Sequence, residues 1–335
     1  MAIAVDECAG TRPRRAIFPS GVTACEFLCV TLALCADGAL AQAYPTKPIR
    51  IVATEAGSSG DLTARLVAQG ASSALLQPVI VENRPARMIG VIVSRAAPDG
   101  YTILLSGSTV WIDPLIRSDA AWDARRDFSP ITLATSSPLV VVLHPSVAAA
   151  SVKELIALAK SRPGQLNYGS GASGSASHLG PELFKAMAGV DIVRIPYKGA
   201  APALNGLIAG SIQLMIASAG SATPHLRSGK LKALAVTTAR PSTLLPDLPT
   251  VAATLPGYEA AATLGIFAPV RTPAAIINRL NKEIVQVLHR PDVKQALFND
   301  GSETVGNSPQ ELREMVIADI ARLGKVIKDA GIRAD

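Results

Sequence analysis

The sequence predicts an α/β fold built from two domains. Strand and helix patterns alternate along most of the chain, which is the order typical of α/β layers with mostly parallel sheets. Two helix starts, at Ser151 with Glu154 and at Ser308 with Glu311, have the spacing of a capping box. The chain beyond residue 43 is long enough to form two hydrophobic cores of ordinary size, so we expect two domains.

The first half of this chain reads as short apolar strands separated by helical patterns. The first predicted helix begins near Asp61, whose negative charge suits the N-terminal end of a helix dipole. A second helix follows Ser151. The predicted strands cover residues 49–54, 78–83, 101–107 and 139–145.

The second half continues the alternation and then becomes mainly helical. A helix is predicted to end near Met187, and another to run from Thr272-Pro273 to about Pro291. The last helix starts at the capping box of Ser308. The predicted strands cover residues 166–169, 192–198, 212–218, 231–238 and 264–270.

Residues 1–43 have the pattern of a cleavable secretory signal peptide, which predicts an exported, periplasmic protein. A basic region precedes an apolar run at residues 22–34, and a small-residue cleavage site ends at Ala43. A twin-arginine signal at Arg14-Arg15 and a lipid-attachment box ending at Cys25 are the alternatives. All four cysteines lie in this segment, so we expect no disulfide and no cysteine metal site in the mature chain.

Charge and composition favour a small anionic solute, or no specific partner, over nucleic acid. The formal net charge is +6, but the basic residues are scattered and aromatic residues make up only 4%, which leaves no stacking platform. The histidines show no metal-ligand spacing, so no metal and no cofactor are expected. Beyond residue 43 no stretch is long and apolar enough to cross a membrane.

The segment "NYGSGASGSASHLGPELF" contains a G-x-G-x-x-G pattern at Gly169, Gly171 and Gly174. A dinucleotide fold also needs an acid at the carboxyl end of the next strand, where it holds the ribose. Asp191 has the right spacing but precedes its strand, so it would lie at the wrong end of the sheet. The pattern therefore argues against dinucleotide binding.

The same segment places several serines near His178, which raises nucleophilic catalysis as a second interpretation. None of the serines has glycines two residues before and two after it, as a G-x-S-x-G elbow requires. Paired acids and metal spacing are also missing from the sequence, so an exported enzyme acting on a carboxylate is the weaker alternative.

A third interpretation rests on the unpaired backbone N–H groups at a helix start. Small residues there let an anion approach these donors, and the helix dipole favours negative charge. A second Gly/Ser junction, "EAGSSGD" at residues 55–61, precedes the first helix. Two such junctions on two domains could bind one carboxylate, but the residues alone favour a simple turn at each junction slightly more.

Seven segments together resemble one known family. They are "YPTKPIRIV", "VENRP", "APDGYT", "LNYGSGASGSASHL", "FKAMAGVDIVRIPYKGAAPALNGLIAG", "GKLKALAVTTA" and "LPDLPTVAATLPGYEA". In this order they are similar to the solute receptors of tripartite tricarboxylate transporters, the Bug proteins. The resemblance implies a periplasmic-binding-protein-like (type II) fold with a ligand cleft between two lobes. It implies a domain 1 of residues 44–141 and 266–335 and a domain 2 of residues 142–265.

The resemblance also implies the site and the partners. A monomeric receptor would close on a small carboxylate and deliver it to a membrane permease; a sensor kinase is the alternative partner. The matched segments place the ligand-binding residues at Thr54, Glu55, Gly57, Ser58, Ser59, Asp61, Ser108, Thr109, Ser170, Ser173, Gly174, Ser175, Tyr197, Lys198, Gly199, Ala217 and Ser218.

The sequence departs from the family pattern at three points near this site. The first loop has residues 53–56, "ATEA", where the family has proline and an aromatic residue; "ARMIG" replaces a glycine-rich stretch; and Ala217 stands where an acid is common. A carboxylate at Glu55 would oppose a third carboxylate on a ligand, at a cost of about 1–4 kcal/mol. We therefore expect a ligand with one or two carboxylates rather than citrate.

Overall fold

The computed structural model describes residues 44–171 and 173–333. The predicted signal peptide, residues 1–43, lies outside the described residues. The described residues from 45 onward form one compact unit. No helix of the described ranges is long and apolar enough to span a bilayer.

The described residues form ten strands. They are β1 (Ile49–Ala53), β2 (Val79–Asn83), β3 (Thr102–Gly107), β4 (Phe128–Leu143), β5 (Asn167–Ser170), β6 (Val193–Pro196), β7 (Leu214–Ser218), β8 (Lys232–Val236), β9 (Ala261–Pro269) and β10 (Glu303–Thr304).

Eleven α-helices occur in the same ranges. They are α1 (Ser59–Leu75), α2 (Ala86–Ser94), α3 (Thr109–Ile116), α4 (Ala124–Asp127), α5 (Val152–Ser161), α6 (Ala176–Ala188), α7 (Ala200–Ile208), α8 (Ala219–Arg227), α9 (Ala274–Leu288), α10 (Pro291–Asn299) and α11 (Pro309–Asp329). A short 3₁₀ helix covers Val251–Ala253.

Strand β4 joins two sheets. Sheet A has the order β2-β1-β3-β9-β4, with β10 also on β4; sheet B has the order β4-β7-β5-β6, with β8 also on β4. The predicted alternation and α/β class are confirmed, but the expectation of mostly parallel sheets is wrong. Five of the nine strand pairs are antiparallel, because every pair made by β4 or β9 runs against its neighbour.

The carboxyl ends of strands in both sheets meet at the middle of β4. Strand β3 ends at Gly107, which pairs with Leu264 of β9, and Leu264 pairs with Thr135 of β4. Strand β7 runs the opposite way and ends at Ser218, which pairs with Leu139. Thr135 and Leu139 are roughly 13 Å apart along an extended strand. Open α/β sheets bind ligands outside the carboxyl ends of their strands, so this region is the place to look for a site.

The chain changes sheets at two points near β4. Strand β4 pairs with β9 up to Pro138 and with β7 from Leu139 onward. The chain returns from sheet B to sheet A through Ala260, whose N–H donates to Thr237 O at 2.9 Å, and it enters β9 at Ala261. The domain limits at residues 141/142 and 265/266 stay a prediction.

The helix signals in the sequence correspond to packing and capping in the structure. Helix α9 buries Ile277, Leu280 and Ile284 on one face, and α11 begins with the predicted capping box of Ser308 and Glu311. The Ser151 side chain accepts from Glu154 N as predicted, while the Glu154 carboxylate accepts from Ala150 N. Apolar periodicity and polar caps thus set these helices in place.

Candidate functional site

The first Gly/Ser loop connects β1 to α1 and is closed by Ser58 and Asp61. Ser58 is the N-cap of α1: its Oγ accepts from Asp61 N at 3.1 Å and donates to Glu55 O at 2.7 Å. The Asp61 side chain accepts from Gly57 N at 2.9 Å, and Gly57 has a φ of 80°. Asn83 Nδ2 joins the loop by donating to Thr54 O at 2.6 Å.

Asp61 supports this loop from inside. It is 5% exposed and binds Gly57, Asn83 and Arg65. The Arg65 side chain, followed by the Gly57 N–H, lowers the pKa of Asp61 to about 2. Since its carboxylate is hydrogen-bonded to these three residues, Asp61 stabilises the loop and does not itself contact a ligand.

Two backbone donors remain at the start of α1. The first four N–H groups of a helix have no intrahelical partner. In α1 these belong to Ser58, Ser59, Gly60 and Asp61; the Ser58 N–H donates to Glu55 O, and the Asp61 N–H donates to Ser58 Oγ. The N–H groups of Ser59 and Gly60 are thus left for an anion, at the positive end of the helix dipole.

Glu55 belongs to the same loop, but its carboxylate points to a neighbouring helix. Its Oε1 accepts from Ala86 N at 3.2 Å, at the first residue of α2. The residue is exposed. Because the positive end of α2 partly offsets its charge, Glu55 opposes a bound anion less than an isolated carboxylate would.

Ser108 and Thr109 follow β3, where α3 begins. Ser108 is half-buried, and its carbonyl accepts from Trp111 N and Ile112 N at 3.1 and 3.0 Å. Its side chain makes no capping hydrogen bond. Thr109 is exposed. Ser108 lines the same cavity as Ala176, the first residue of α6, so this strand end lies close to the second predicted loop.

The second Gly/Ser loop connects β5 to α6 and is held by Arg194. The guanidinium donates to Ser170 Oγ at 2.8 Å, to Ser173 Oγ at 3.2 Å and to Gly171 O at 3.2 Å. Arg194 is half-buried, and no carboxylate of the described residues forms an ion pair with it. The loop is therefore held by a positive charge that forms no ion pair within the described residues.

Gly174 and Ser175 shape the start of α6. Gly174 has a φ of 79°, and its N–H donates to His178 Nδ1 at 3.1 Å. The positive φ favours glycine at this position, and a Cβ built there would also lie 2.5 Å from Cδ1 of Ile116, at the end of α3. Ser175 is the N-cap of α6, with its Oγ 3.1 Å from Ser177 Oγ.

The remaining predicted residues occupy two strand ends of sheet B. Tyr197 N donates to Ser170 O at 2.9 Å, and its ring lies against Gly206 of α7. Lys198 is exposed and has no ion pair within the described ranges. Gly199 is the N-cap of α7.

At the end of β7, Ala217 and Ser218 have different environments. Ala217 is 1% exposed in an apolar cluster with Val140, which places its methyl group in the core. Ser218 is exposed, and its Oγ lies 2.7 Å from Ser221 Oγ at the start of α8. Ser218 is therefore the accessible member of this pair.

Arg194 and Asn83 were missed by the sequence reasoning. Arg194 sits in a short edge strand, where a lone arginine reads as a solvated charge, and Asn83 ends β2. Their positions on strands next to the two Gly/Ser junctions could have indicated that they contact these loops. Within the described residues no cluster of three or more His, Cys, Asp or Glu side chains has the arrangement of a metal site.

Comparison with known proteins identifies the family. The model of the tripartite tricarboxylate transporter family receptor matches residues 63–332. The chain belongs to this receptor family. The resemblance seen in the sequence and the two-lobe α/β fold class are thereby confirmed.

Three relatives illustrate the family. Protein BugT of Bordetella pertussis is 34% identical over 301 residues, covering 88% of this chain and 92% of BugT. The structure of R. palustris Rpa4515 with adipate is 35% identical, with a TM-score of 0.71, covering 87% of this chain and 99% of that one. MatC from Rhodopseudomonas palustris with bound malate is 28% identical, with a TM-score of 0.68, covering 85% and 100%.

Proposed function

We propose that this protein is an extracytoplasmic receptor that binds a small carboxylate in the cleft between its two sheets and delivers it to a tripartite tricarboxylate-type permease. The observation that carries this proposal is the convergence of strand ends at the middle of β4, each followed by a helix start. Residues 1–43 would direct the export to the periplasm. The protein would act as a monomer and leave its ligand chemically unchanged.

The direct contacts of the carboxylate are the backbone donors of the two Gly/Ser loops. We assign the N–H groups of Ser59 and Gly60 on α1, and that of Ala176 on α6, to one ligand carboxylate. The hydroxyls of Ser108 and Ser175 lie at neighbouring helix starts and supply further donors. Hydrogen bonds to a charged group contribute about 1.5–3 kcal/mol each, enough for micromolar binding from a few of them.

Two of the similar structures hold dicarboxylates, adipate in Rpa4515 and malate in MatC. By family likeness we propose that this protein also binds a small carboxylate. The guanidinium of Arg194, which is hydrogen-bonded to the second loop, adds a positive charge that would favour such an anion.

The test removes single backbone donors without disturbing the helices. Proline is tolerated at the first helical position and lacks an N–H. Ser58 and Ser175, which precede these positions, already have extended backbones with ψ values of 162° and 159°, as a residue before proline requires. In Ser59→Pro and Ala176→Pro we expect the affinity for malate or adipate, measured by calorimetry, to fall roughly tenfold each.

Ser59→Ala and Ala176→Gly are the matched controls, because they keep the N–H, and we expect them to bind within about twofold of wild type. If proline and control variants bind alike, the backbone-donor site is refuted. If no carboxylate in a thermal-shift screen stabilises the protein, the receptor function itself is refuted. A ligand-dependent pull-down with the permease supports delivery; capture by a sensor ectodomain instead would overturn it.

A further inference from the structure

A small cavity lies beside the proposed carboxylate site, between α6, α11 and the start of β9. Its volume is about 70 Å³, and it is lined largely by apolar side chains. A water-sized group needs roughly 10–15 Å³ of such space, so about five groups fit. The lining includes Ser108, Ala176, Leu179, Ala261, Thr263 and Met315.

The cavity begins where the carboxylate would bind. Ala176 supplies the first N–H of α6 and also lines the cavity, and Ser108, the N-cap of α3, lines it as well. A ligand whose carboxylate sits at these helix starts therefore has its next atoms at the entrance. The cavity is placed to receive the tail of that ligand.

An unpartnered hydroxyl marks the cavity wall. Thr263 Oγ1 is buried and has no hydrogen-bond partner among the described residues, and Thr263 lines the cavity. Ser106 Oγ, on the adjacent strand β3, is also buried without a partner, and this residue is 1% exposed. Buried hydroxyls in proteins are nearly always hydrogen-bonded, so an unsatisfied one points to a bound water or ligand group.

The charged residues at the cavity leave it net negative. Arg322 pairs with Glu259 at 3.7 Å and with Asp319, which also accepts from Trp111 Nε1 at 3.2 Å. Two carboxylates thus surround one guanidinium, and all three residues line the cavity. A second carboxylate entering here would meet an excess negative charge in a partly desolvated space.

We propose that this cavity binds an uncharged, mainly apolar tail of about five heavy atoms ending in a single hydroxyl or keto oxygen, and that it discriminates against a second carboxylate. The ligand is thus a monocarboxylate with such a tail, and the Thr263 hydroxyl forms a hydrogen bond with its terminal oxygen. This inference rests on the proposed receptor function and narrows its ligand class within the family.

Three six-carbon probes that differ only at the far end test it: hexanoate, 6-hydroxyhexanoate and adipate. Calorimetry on the full mature protein should rank 6-hydroxyhexanoate first, with hexanoate about fivefold weaker and adipate at least about tenfold weaker than 6-hydroxyhexanoate. Malate is titrated alongside as a short dicarboxylate. Binding of any of these reports on the receptor function separately from the order of the three probes.

Two variants assign the discrimination to the cavity. Glu259→Gln should improve adipate binding about threefold to tenfold and leave hexanoate nearly unchanged, because only the dianion meets the lost charge. Glu314→Gln, an exposed acid on α11 outside the cavity, is the control with the same charge change. Thr263→Val should abolish the preference for 6-hydroxyhexanoate over hexanoate while leaving the fold intact, since its hydroxyl makes no bond to lose.

If adipate binds tightest and Glu259→Gln leaves the adipate-to-hexanoate ratio unchanged, the tail cavity is refuted while the receptor function stands. The same holds if malate binds and none of the six-carbon probes does. An unchanged hydroxyl preference in Thr263→Val overturns the assignment of Thr263. If no probe binds, including malate, the proposed function fails together with the inference.

Discussion

The loop after β1 and the loop after β5 have similar Gly/Ser sequences, yet opposite charges hold them. In the first, the buried carboxylate of Asp61 binds the Gly57 N–H and uses up a backbone donor. In the second, the guanidinium of Arg194 binds two hydroxyl oxygens and the Gly171 carbonyl. An anion therefore gains more from the second loop, while the first loop contributes mainly its α1 donors. We infer that sheet B anchors the ligand and sheet A completes the enclosure.

The largest expected effect comes from removing the guanidinium of Arg194. Arg194→Gln should lower the affinity for a carboxylate roughly ten- to hundredfold, because the loop loses both its charge and its forked donor. Arg194→Lys keeps the positive charge but lacks the planar guanidinium with its several N–H donors, so the loss of affinity should be smaller. Calorimetry measures both.

Arg240→Gln is the matched control, since Arg240 is exposed and far along the chain from both loops. It should bind like wild type. Equal affinities for Arg194→Gln and Arg240→Gln, with both variants folded by circular dichroism, would show that the charge of Arg194 is irrelevant.

Removing the carboxylate of Asp61 should affect the stability of the fold more than the affinity for the ligand. Asp61→Asn breaks the bonds to Gly57 and Arg65 in a buried site, and we expect a loss of about 1–3 kcal/mol in the free energy of unfolding. Urea denaturation measures it. Asp119→Asn, which breaks an ion pair at 77% exposure of the acid, should cost under about 1 kcal/mol. Similar losses in both variants would contradict a special role for Asp61.

The low pKa of Asp61 also predicts that the stability of the fold depends on pH. The pKa of Asp61 falls from 3.8 to about 2 in the folded protein, so its stabilising contribution is complete above roughly pH 4 and is lost as the pH falls toward 2. The contribution is about 2 kcal/mol. Unfolding free energies at pH 5, 4 and 3 should fall more steeply in wild type than in Asp61→Asn. Parallel curves would exclude Asp61 as the source.

Strand and helix order, both capped helices and the positions of the two loops were predictable from sequence, because they depend on local periodicity and on polar caps. The first half of β4 was not. Its segment "FSPITLATSS" is rich in Ser and Thr and lacks an apolar run, and β9 pairs along it while β10 pairs with Thr135 and Ser136. Tertiary pairing there overrides local preference.

The site residues divide in the same way. Ser58 as a helix cap follows from its position before α1, so its role was predictable. The inward turn of Asp61 to Gly57 has a local signal, because Ser58 and Asp61 have the S-x-x-D spacing of a capping box. The contact of Arg194 with Ser170 depends on the register of β5 against β6, and spacing along the chain does not predict it.

The smallest expected effect concerns Glu55, the acid that sets the first loop apart from the second. Its carboxylate binds the Ala86 N–H at the start of α2, so Glu55→Gln keeps an acceptor there and should change the unfolding free energy by no more than about 0.5 kcal/mol. Because that helix dipole already offsets part of the charge, the variant should bind citrate only about two- to threefold more tightly than wild type. Calorimetry with citrate and with a monocarboxylate separates the two effects, since the monocarboxylate affinity should not change. Tight citrate binding that is identical in wild type and Glu55→Gln would show that this acid takes no part in choosing the ligand, and that the two loops differ in how they are held but not in what they select.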